Sequence, residues 1–142
     1  MNILFFLTPK NDVAFIYEDF TLRQVLEKME NNSYTAVPII SREGKYIGTL
    51  TEGDLLWGIK NQYDLDLKKA EDVRIADIPR RIENAPVDVS ADVKDVVEKA
   101  LKQNFVPVID DRGIFIGIIT RKSIIRYFYD RLEQMNGVQP LS

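Results

Sequence analysis

Two short segments carry the residues best suited to chemistry. Thr51-Glu52-Gly53-Asp54 sets a hydroxyl and a carboxylate three positions apart, and Thr120-Arg121-Lys122-Ser123 stands sixty-nine positions later with two cations between its hydroxyls. In the first segment, the Thr51 hydroxyl and the Asp54 carboxylate can satisfy the orphan N–H groups that open a helix, as a reciprocal capping box does. The same carboxylate has acceptors only, which suits the paired hydroxyls of a ribose, while Thr51 and the helix N-terminus suit a phosphate. The two roles can coexist, and spacing alone leaves them open. In the second segment, Arg121 and Lys122 fall in a first helical turn, where cations oppose the helix dipole by about 0.3–1 kcal/mol each unless an anion sits before them. The contrast with Glu52 and Asp54 predicts specialisation. Thr120, Arg121 and Lys122 would hold the phosphates of a ligand whose remainder lies against the first segment. The competing reading is a solvated pair of cations pointing away.

The two segments belong to a larger duplication. Val37 to Leu56 returns without a gap as Val106 to Ile125, and seven positions are identical, among them Val37/Val106, Pro38/Pro107, Gly44/Gly113, Gly48/Gly117 and Thr51/Thr120. At five more, one apolar or aromatic residue replaces another, whereas ordinary composition gives about one chance identity over such a window. Two copies of one small unit pack across a pseudo-two-fold axis, and the seam between them is where a ligand can lie.

Composition narrows the function classes. At 142 residues and 45% hydrophobic, the chain can bury a substantial core as one compact domain of two halves. It has no cysteine and no histidine, so thiolate nucleophiles, sulfur-rich zinc sites and the commonest general base are excluded. No pair of carboxylates falls beside a nucleophile on one face, and no glycine-rich Walker loop is present. Composition still leaves a lysine Schiff base or a carboxylate-held Mg²⁺ open. The expectation is a non-enzyme with no catalytic residue, no metal site and no required cofactor. A net charge of −3 argues against nucleic acid or an anionic membrane as partner. The apolar run Ile3 to Leu7 is too short to span a bilayer and reads as a packing helix; the cytoplasm is the expected compartment.

Periodicity places these segments on elements. Val13 to Tyr17 is a β-rich run, and Leu22, Val25, Leu26 and Met29 follow the spacing of an amphipathic helix capped by Thr21. Ala36 to Ile40 and Tyr46 to Leu50 form a hairpin turning at Gly44, and a second helix carries Leu55, Leu56 and Ile59 inward. The second copy repeats the order with Pro86 to Val89 as strand, Val93, Val96, Val97, Ala100 and Leu101 as helix face, Val106 to Ile109 and Phe115 to Ile119 as hairpin. Ile124, Ile125, Phe128, Leu132 and Met135 mark a longer last helix. Between the copies, Asn61 to Glu71 reads as a polar linker crossing the surface, and Pro79 should stop any short helix near Ile78. The fold class is α/β (α+β), a β-α-β-β-α unit twice, with repeats at 8–62 and 75–135 and a linker at 63–74.

Here the residues carry a resemblance. Val37-Pro38-Ile39-Ile40 with Gly48-Thr49-Leu50-Thr51-Glu52-Gly53-Asp54-Leu55, and Val106-Pro107-Val108-Ile109-Asp110 with Gly117-Ile118-Ile119-Thr120, resemble tandem CBS domains, the pair called a Bateman module, over roughly residues 8 to 130. The resemblance implies a regulatory module that binds an adenine-containing nucleotide between its repeats. With no accompanying domain, the chain is similar to the stand-alone kind that senses adenylate or cyclic di-AMP and passes the signal to an effector protein. It favours the ribose role for Asp54, since the family places its ribose-binding acid there. The second copy departs from the pattern in lacking that acid.

For the base, Val13, Ala14, Tyr34, Thr35, Ala36 and Pro38 are the candidates, because a flat purine needs close main-chain approach and an apolar lid. Phe105 stands where Ala36 does and would fill the second pocket, so one good site and one degraded site are expected. Arg80 and Arg81 after Pro79 could extend the phosphate pocket, yet paired arginines are common on surfaces, and they stay outside the candidate set. The resemblance also implies a homodimer through the second helices of the repeats, with Phe128 inward and Trp57 or Tyr129 at the partner surface. A ligand-independent dimerisation or interaction scaffold is the alternative function.

Overall fold

In the computed structural model, which describes residues 2–32, 35–63, 66–80 and 83–137, the order of elements follows from the repeated pattern. A 3₁₀ turn at Ile3–Phe6 leads into β1 (Leu7–Pro9), a second 3₁₀ turn at Lys10–Asp12 and β2 (Ile16–Tyr17). Helix α1 (Leu22–Asn32), β3 (Ala36–Ile40), β4 (Tyr46–Thr51) and α2 (Glu52–Tyr63) complete the first unit. After α3 (Leu67–Ala70) and a 3₁₀ turn at Ile75–Asp77 come β5 (Val87–Asp88), α4 (Val93–Ala100), β6 (Phe105–Ile109), β7 (Phe115–Thr120) and α5 (Arg121–Asn136). The 3₁₀ turn ends before Ile78, as Pro79 dictates.

Local chemistry explains the starts. The Thr21 N–H donates to Gln24 Oε1 at 2.8 Å and the Gln24 N–H to Thr21 Oγ1 at 3.3 Å, a capping box at the head of α1. Thr120 caps α5 by accepting from the Ser123 N–H at 3.1 Å, and Gly137, at φ 72°, closes it in the left-handed region where a side chain would be strained. The buried stripe of α1 is Leu22, Val25 and Met29, and that of α4 is Val96 and Ala100.

Not every apolar position turned inward. Leu55 and Ile59 are buried but Leu56 is 52% exposed; Leu101 is 76%, Ile125 65% and Met135 81% exposed, and Leu132 is exposed too. These positions flank the buried stripes on helices that cover one face of a small sheet, so nothing among the described residues covers them. Phe128 also lies at the rim rather than inward. Ile124 and Tyr127 pack into the core with the Ile3–Phe6 turn, Tyr127 edge-on to Phe6 with centroids 5.0 Å apart, while Phe128 stacks on Phe6 from the rim at 6.4 Å.

Two sheets carry the helices. The first has the order β2-β3-β4, the second β1-β7-β6-β5. Each hairpin holds an irregularity at the same repeat position, Ile39/Ile40 and Val108/Ile109. The segment expected as a surface linker is partly folded: Ala70 of α3 is fully buried, and Leu22 and Arg23 donate backbone N–H groups to Val73 and Glu71. An apolar Ala, Val and Ile every few residues anchors this otherwise charged stretch to the first core.

The pseudo-two-fold axis passes between Lys45 and Ile114. These two residues, sixty-nine apart, form an antiparallel bridge with one another. Tyr46 N–H donates to Gly113 O at 3.1 Å and Phe115 N–H to Gly44 O at 2.9 Å, each bond being the image of the other. The rings of Tyr46 and Phe115 stack at 6.2 Å. The leading segments are exchanged across this axis. Strand β1 leaves the first unit and pairs antiparallel with β7 of the second, Thr8 opposite Ile118 and Pro9 opposite Gly117.

Candidate functional site

The exchange makes the two seams unequal. On the second sheet, β1 is zipped onto β7 so closely that a Cβ on Gly117 would stand 2.3 Å from the Thr8 carbonyl oxygen. On the first, the corresponding segment Ile78-Pro79-Arg80 takes no strand structure, and what approaches Gly48 is a side chain: a Cβ there would lie 2.6 Å from Arg80 Nε. A guanidinium is laid over bare backbone. The space left open is a polar cleft of about 510 Å³ whose lining includes Tyr46, Gly48, Thr49, Pro79, Arg80 and Asn84.

The floor of that cleft is pre-organised. The Tyr46 hydroxyl donates to Asn84 O at 2.7 Å and lies 2.8 Å from Thr49 Oγ1, so one phenol joins the two repeats. Burial pushes the Tyr46 phenol up to about 12, against the smaller opposing influences of the Thr49 bond and the Arg80 charge. It stays protonated, and Arg80 supplies the positive charge facing the cleft.

A second cleft, of about 270 Å³, adjoins the first at Pro79 and is lined also by Asp54, Trp57, Gly58, Asn61 and Gln62. Its acid is set by α2. Thr51 N–H donates to Asp54 Oδ2 at 3.0 Å and Asp54 N–H to Thr51 Oγ1 at 3.1 Å, the reciprocal box that the spacing allows, and Asp54 is only 2% exposed. Around the head of α2, Ala36 lies opposite Thr51 in the β-ladder and Pro38 opposite Thr49. Thr35 O accepts the Glu52 N–H at 3.0 Å. Phe105, in the place of Ala36, is buried.

The other expected residues are drawn elsewhere. Arg121 does not face Asp54 across a shared slot. Its Nε donates to Ala100 O and its terminal nitrogen to Gln103 O at 2.7 Å, and it lines an apolar groove with Val97, Ile124 and Ile125. The electrostatics account for this: the guanidinium leaves the positive end of α5 and neutralises carbonyls at the negative end of α4. Lys122 lines a third depression with Phe5, Phe6, Ser123 and Arg126. Thr120 spends its hydroxyl on the α5 cap, and Ser123 Oγ reaches Phe6 O at 3.3 Å. Val13 and Ala14 are half-buried and link the Lys10–Asp12 turn, which packs on β7, to β2 on the first sheet. Tyr34 and Arg81 lie outside the described residues.

Arg80, kept outside the candidate set as one of two paired arginines, lines the open cleft. Its signal was positional: it follows Pro79 as Lys10 follows Pro9, just ahead of each repeat's first strand, where the exchange brings the chain across the seam. Among the described residues, no group of three or more acidic, histidine or cysteine side chains could hold a metal ion, and no helix is long and apolar enough to cross a membrane.

Comparison with known proteins places this geometry. The CBS domain family matches residues 6–61 and 75–130. Among solved structures, CbpB in complex with c-di-AMP is 28% identical with a TM-score of 0.85, over 96% of this chain and 90% of that one. A CBS domain protein from Streptococcus pneumoniae TIGR4 is 29% identical with a TM-score of 0.80, over 89% and 86%. Protein MJ1225 of Methanocaldococcus jannaschii is 26% identical over 139 residues, which cover 90% of this chain and 50% of that protein; the chain spans about half the length of that relative. With both matched segments falling on the two exchanged β-α-β-β-α units, the chain belongs to the CBS-domain family and carries its repeats as a tandem pair.

Proposed function

We propose that the chain is a regulatory module that binds one adenine nucleotide at the open seam and transmits its occupancy to a partner protein. The observation that carries this reading is the inequality of the seams: β1 is paired closely onto β7 at the second, whereas the first keeps a polar cleft with the Arg80 guanidinium lying on Gly48. Arg80 anchors phosphate, and its planar fork suits a bidentate contact. Asp54, buried beside the same Pro79, accepts ribose hydroxyls through a carboxylate that has acceptors only. Ala36, Thr35 and Pro38 set the backbone against which a purine fits at the head of α2. The related CbpB structure, which holds c-di-AMP, supports an adenine ligand with more than one phosphate; AMP, ADP and ATP complete the candidate set.

The test is a melting series with AMP, ADP, ATP and c-di-AMP, each spanning three decades of concentration. A ligand present at a hundred times its dissociation constant stabilises by about 2.7 kcal/mol, a shift of several degrees for a chain of this size. Binding of one equivalent, weakened tenfold or more by Arg80→Ala, is the expected result. No shift with any of the four would remove the reading in favour of a ligand-independent scaffold.

A further inference from the structure

One polar side chain of the open cleft has no task within the fold. Asn84 is 5% exposed and lines the cleft together with Tyr46, Thr49 and Arg80. Among the described residues, Ser41, Thr49, Asp54 and Gln103 are comparably buried, and each spends its side chain internally. Ser41 Oγ accepts the Lys45 N–H, Thr49 meets Tyr46, Asp54 closes the α2 cap, and Gln103 Nε2 donates to Ala85 O and Phe105 O. For the Asn84 carboxamide no described residue supplies a partner, and only the backbone oxygen of this residue is bonded, by the Tyr46 hydroxyl. The amide is not sealed in either, since no described side-chain nitrogen or oxygen is both closed off and unpaired. It therefore opens on the cleft. A carboxamide lodged there gives up most of its water for no bond in return, a cost that folded chains rarely leave standing.

The backbone that presents it is tied to both repeats. Tyr46 OH donates to Asn84 O at 2.7 Å, and Gln103 Nε2 to the neighbouring Ala85 O at 3.2 Å. A side chain on so constrained a stretch is pre-organised. The duplication also supplies an internal control. Strands β2 and β5 hold the same place in the two repeats, Ile16 paired with Ile39 and Val87 with Val108, so Val13 and Asn84 are equivalent, three positions ahead of each. The fold accepts valine there; the amide is an addition to the shared pattern.

We infer that Asn84 reads the base of the nucleotide, its amide oxygen accepting from the exocyclic amino group of adenine and its amide nitrogen donating to the ring nitrogen beside it. This rests on the nucleotide reading above and names the residue that chooses the base. Pro38 lies opposite Thr49 in the β-ladder, and Thr49 Oγ1 is 2.8 Å from the hydroxyl that holds Asn84 O. Asn84 thus reaches, from the second repeat, the backbone proposed for the purine, with Arg80 in the same cleft for phosphate. A donor and an acceptor side by side are what asparagine offers to an adenine edge. Guanine instead sets two donors together, N1–H and the 2-amino group, and a carboxylate matches these with its acceptors.

Titration calorimetry of AMP against GMP, and of c-di-AMP against c-di-GMP, on the wild type, Asn84→Asp and Asn84→Leu tests this at pH 8, where the new carboxyl is ionised. Asn84→Asp should move the ratio of adenine to guanine dissociation constants about tenfold or more toward guanine; the ratio cancels any repulsion between the added charge and the phosphates. Asn84→Leu should weaken the adenine ligand about tenfold with its urea midpoint little changed, since the side chain bonds nothing in the free protein. An unchanged ratio in Asn84→Asp, or wild-type adenine affinity in Asn84→Leu, would overturn the role of Asn84 and leave the nucleotide reading standing. Failure of all four ligands to bind the wild type would overturn both. If Asn84→Asp does not fold, the affinity of Asn84→Leu decides.

Discussion

Arg121 shows how a residue's charge can be anticipated while its partners in the fold are not. Two cations in the first turn of a helix need an anion, and the sequence suggests a ligand phosphate. In the fold, the carbonyls of Ala100 and Gln103 meet that need for Arg121, because the hairpin between α4 and α5 brings the end of one helix beside the start of the other. Arg121→Ala should therefore lower stability by about 1–2 kcal/mol, the scale of a charge-assisted helix C-terminus contact. It should leave nucleotide affinity within twofold, measured by denaturant melts and titration calorimetry on one sample. Asp54 reads the other way. Its cap geometry was legible from a three-residue spacing because capping is local. Asp54→Asn keeps an oxygen for the Thr51 N–H and so should cost well under the roughly 0.5–2 kcal/mol of a lost cap. It removes the charge that a ribose would meet, so nucleotide affinity should fall at least fivefold. Arg80 was legible only as a basic residue after Pro79: its neighbour, Gly48, is thirty-two positions away and belongs to the other repeat's sheet. No local pattern announces that meeting.

Among the elements, the hairpins and helix starts could be read in advance because the duplication states them twice. The exchange of leading segments could not, since β1 spans three residues and its partner lies more than a hundred positions later. That exchange predicts different outcomes for two glycines that look equivalent in sequence. Gly117→Ala drives a methyl into the Thr8 carbonyl, which is backbone held in the sheet, so β1 must separate from β7. A cost of about 1–3 kcal/mol, the range for overpacking, is expected. Gly48→Ala meets only the end of a flexible side chain, and Arg80 can swing aside. Its stability should change by less than half as much, while nucleotide affinity falls as it does in Arg80→Ala. Equal destabilisation of the two variants in urea would show that the first seam is as tightly closed as the second. The helix faces were misread at Leu56, Leu101 and Ile125 because periodicity reports apolar positions without saying which of them have a neighbour in the same chain.

For the molecule as a whole, the contact across the pseudo-two-fold axis joins two separate cores. One core is built on α1, β3 and α2, the other on α4, β6 and β7 with the Ile3–Phe6 turn. Between them stand the Lys45–Ile114 bridge, the Tyr46–Phe115 stack and the Tyr46 hydroxyl bond to Asn84. Tyr46 is thus placed to couple the cleft to the packing of the two repeats, which any transmitted signal must alter. Its phenol, raised by burial to about 12, also gives this contact a signature in pH. The unfolded chain releases that proton near pH 10 whereas the folded chain retains it. Between those values the native state binds more protons than the unfolded one, so stability falls as pH rises. The loss approaches about 2–3 kcal/mol by pH 12, at 1.36 kcal/mol for each unit of difference. Nothing of it is present at neutral pH. Tyr46→Phe removes the titration, and with it the bonds to Asn84 and Thr49, so the variant should be less stable at pH 7. Its decline between pH 10 and 12 should be shallower than the wild type's, as measured by urea melts. Parallel declines would mean that Tyr46 titrates as an exposed tyrosine does, and would remove it from the seam between the repeats.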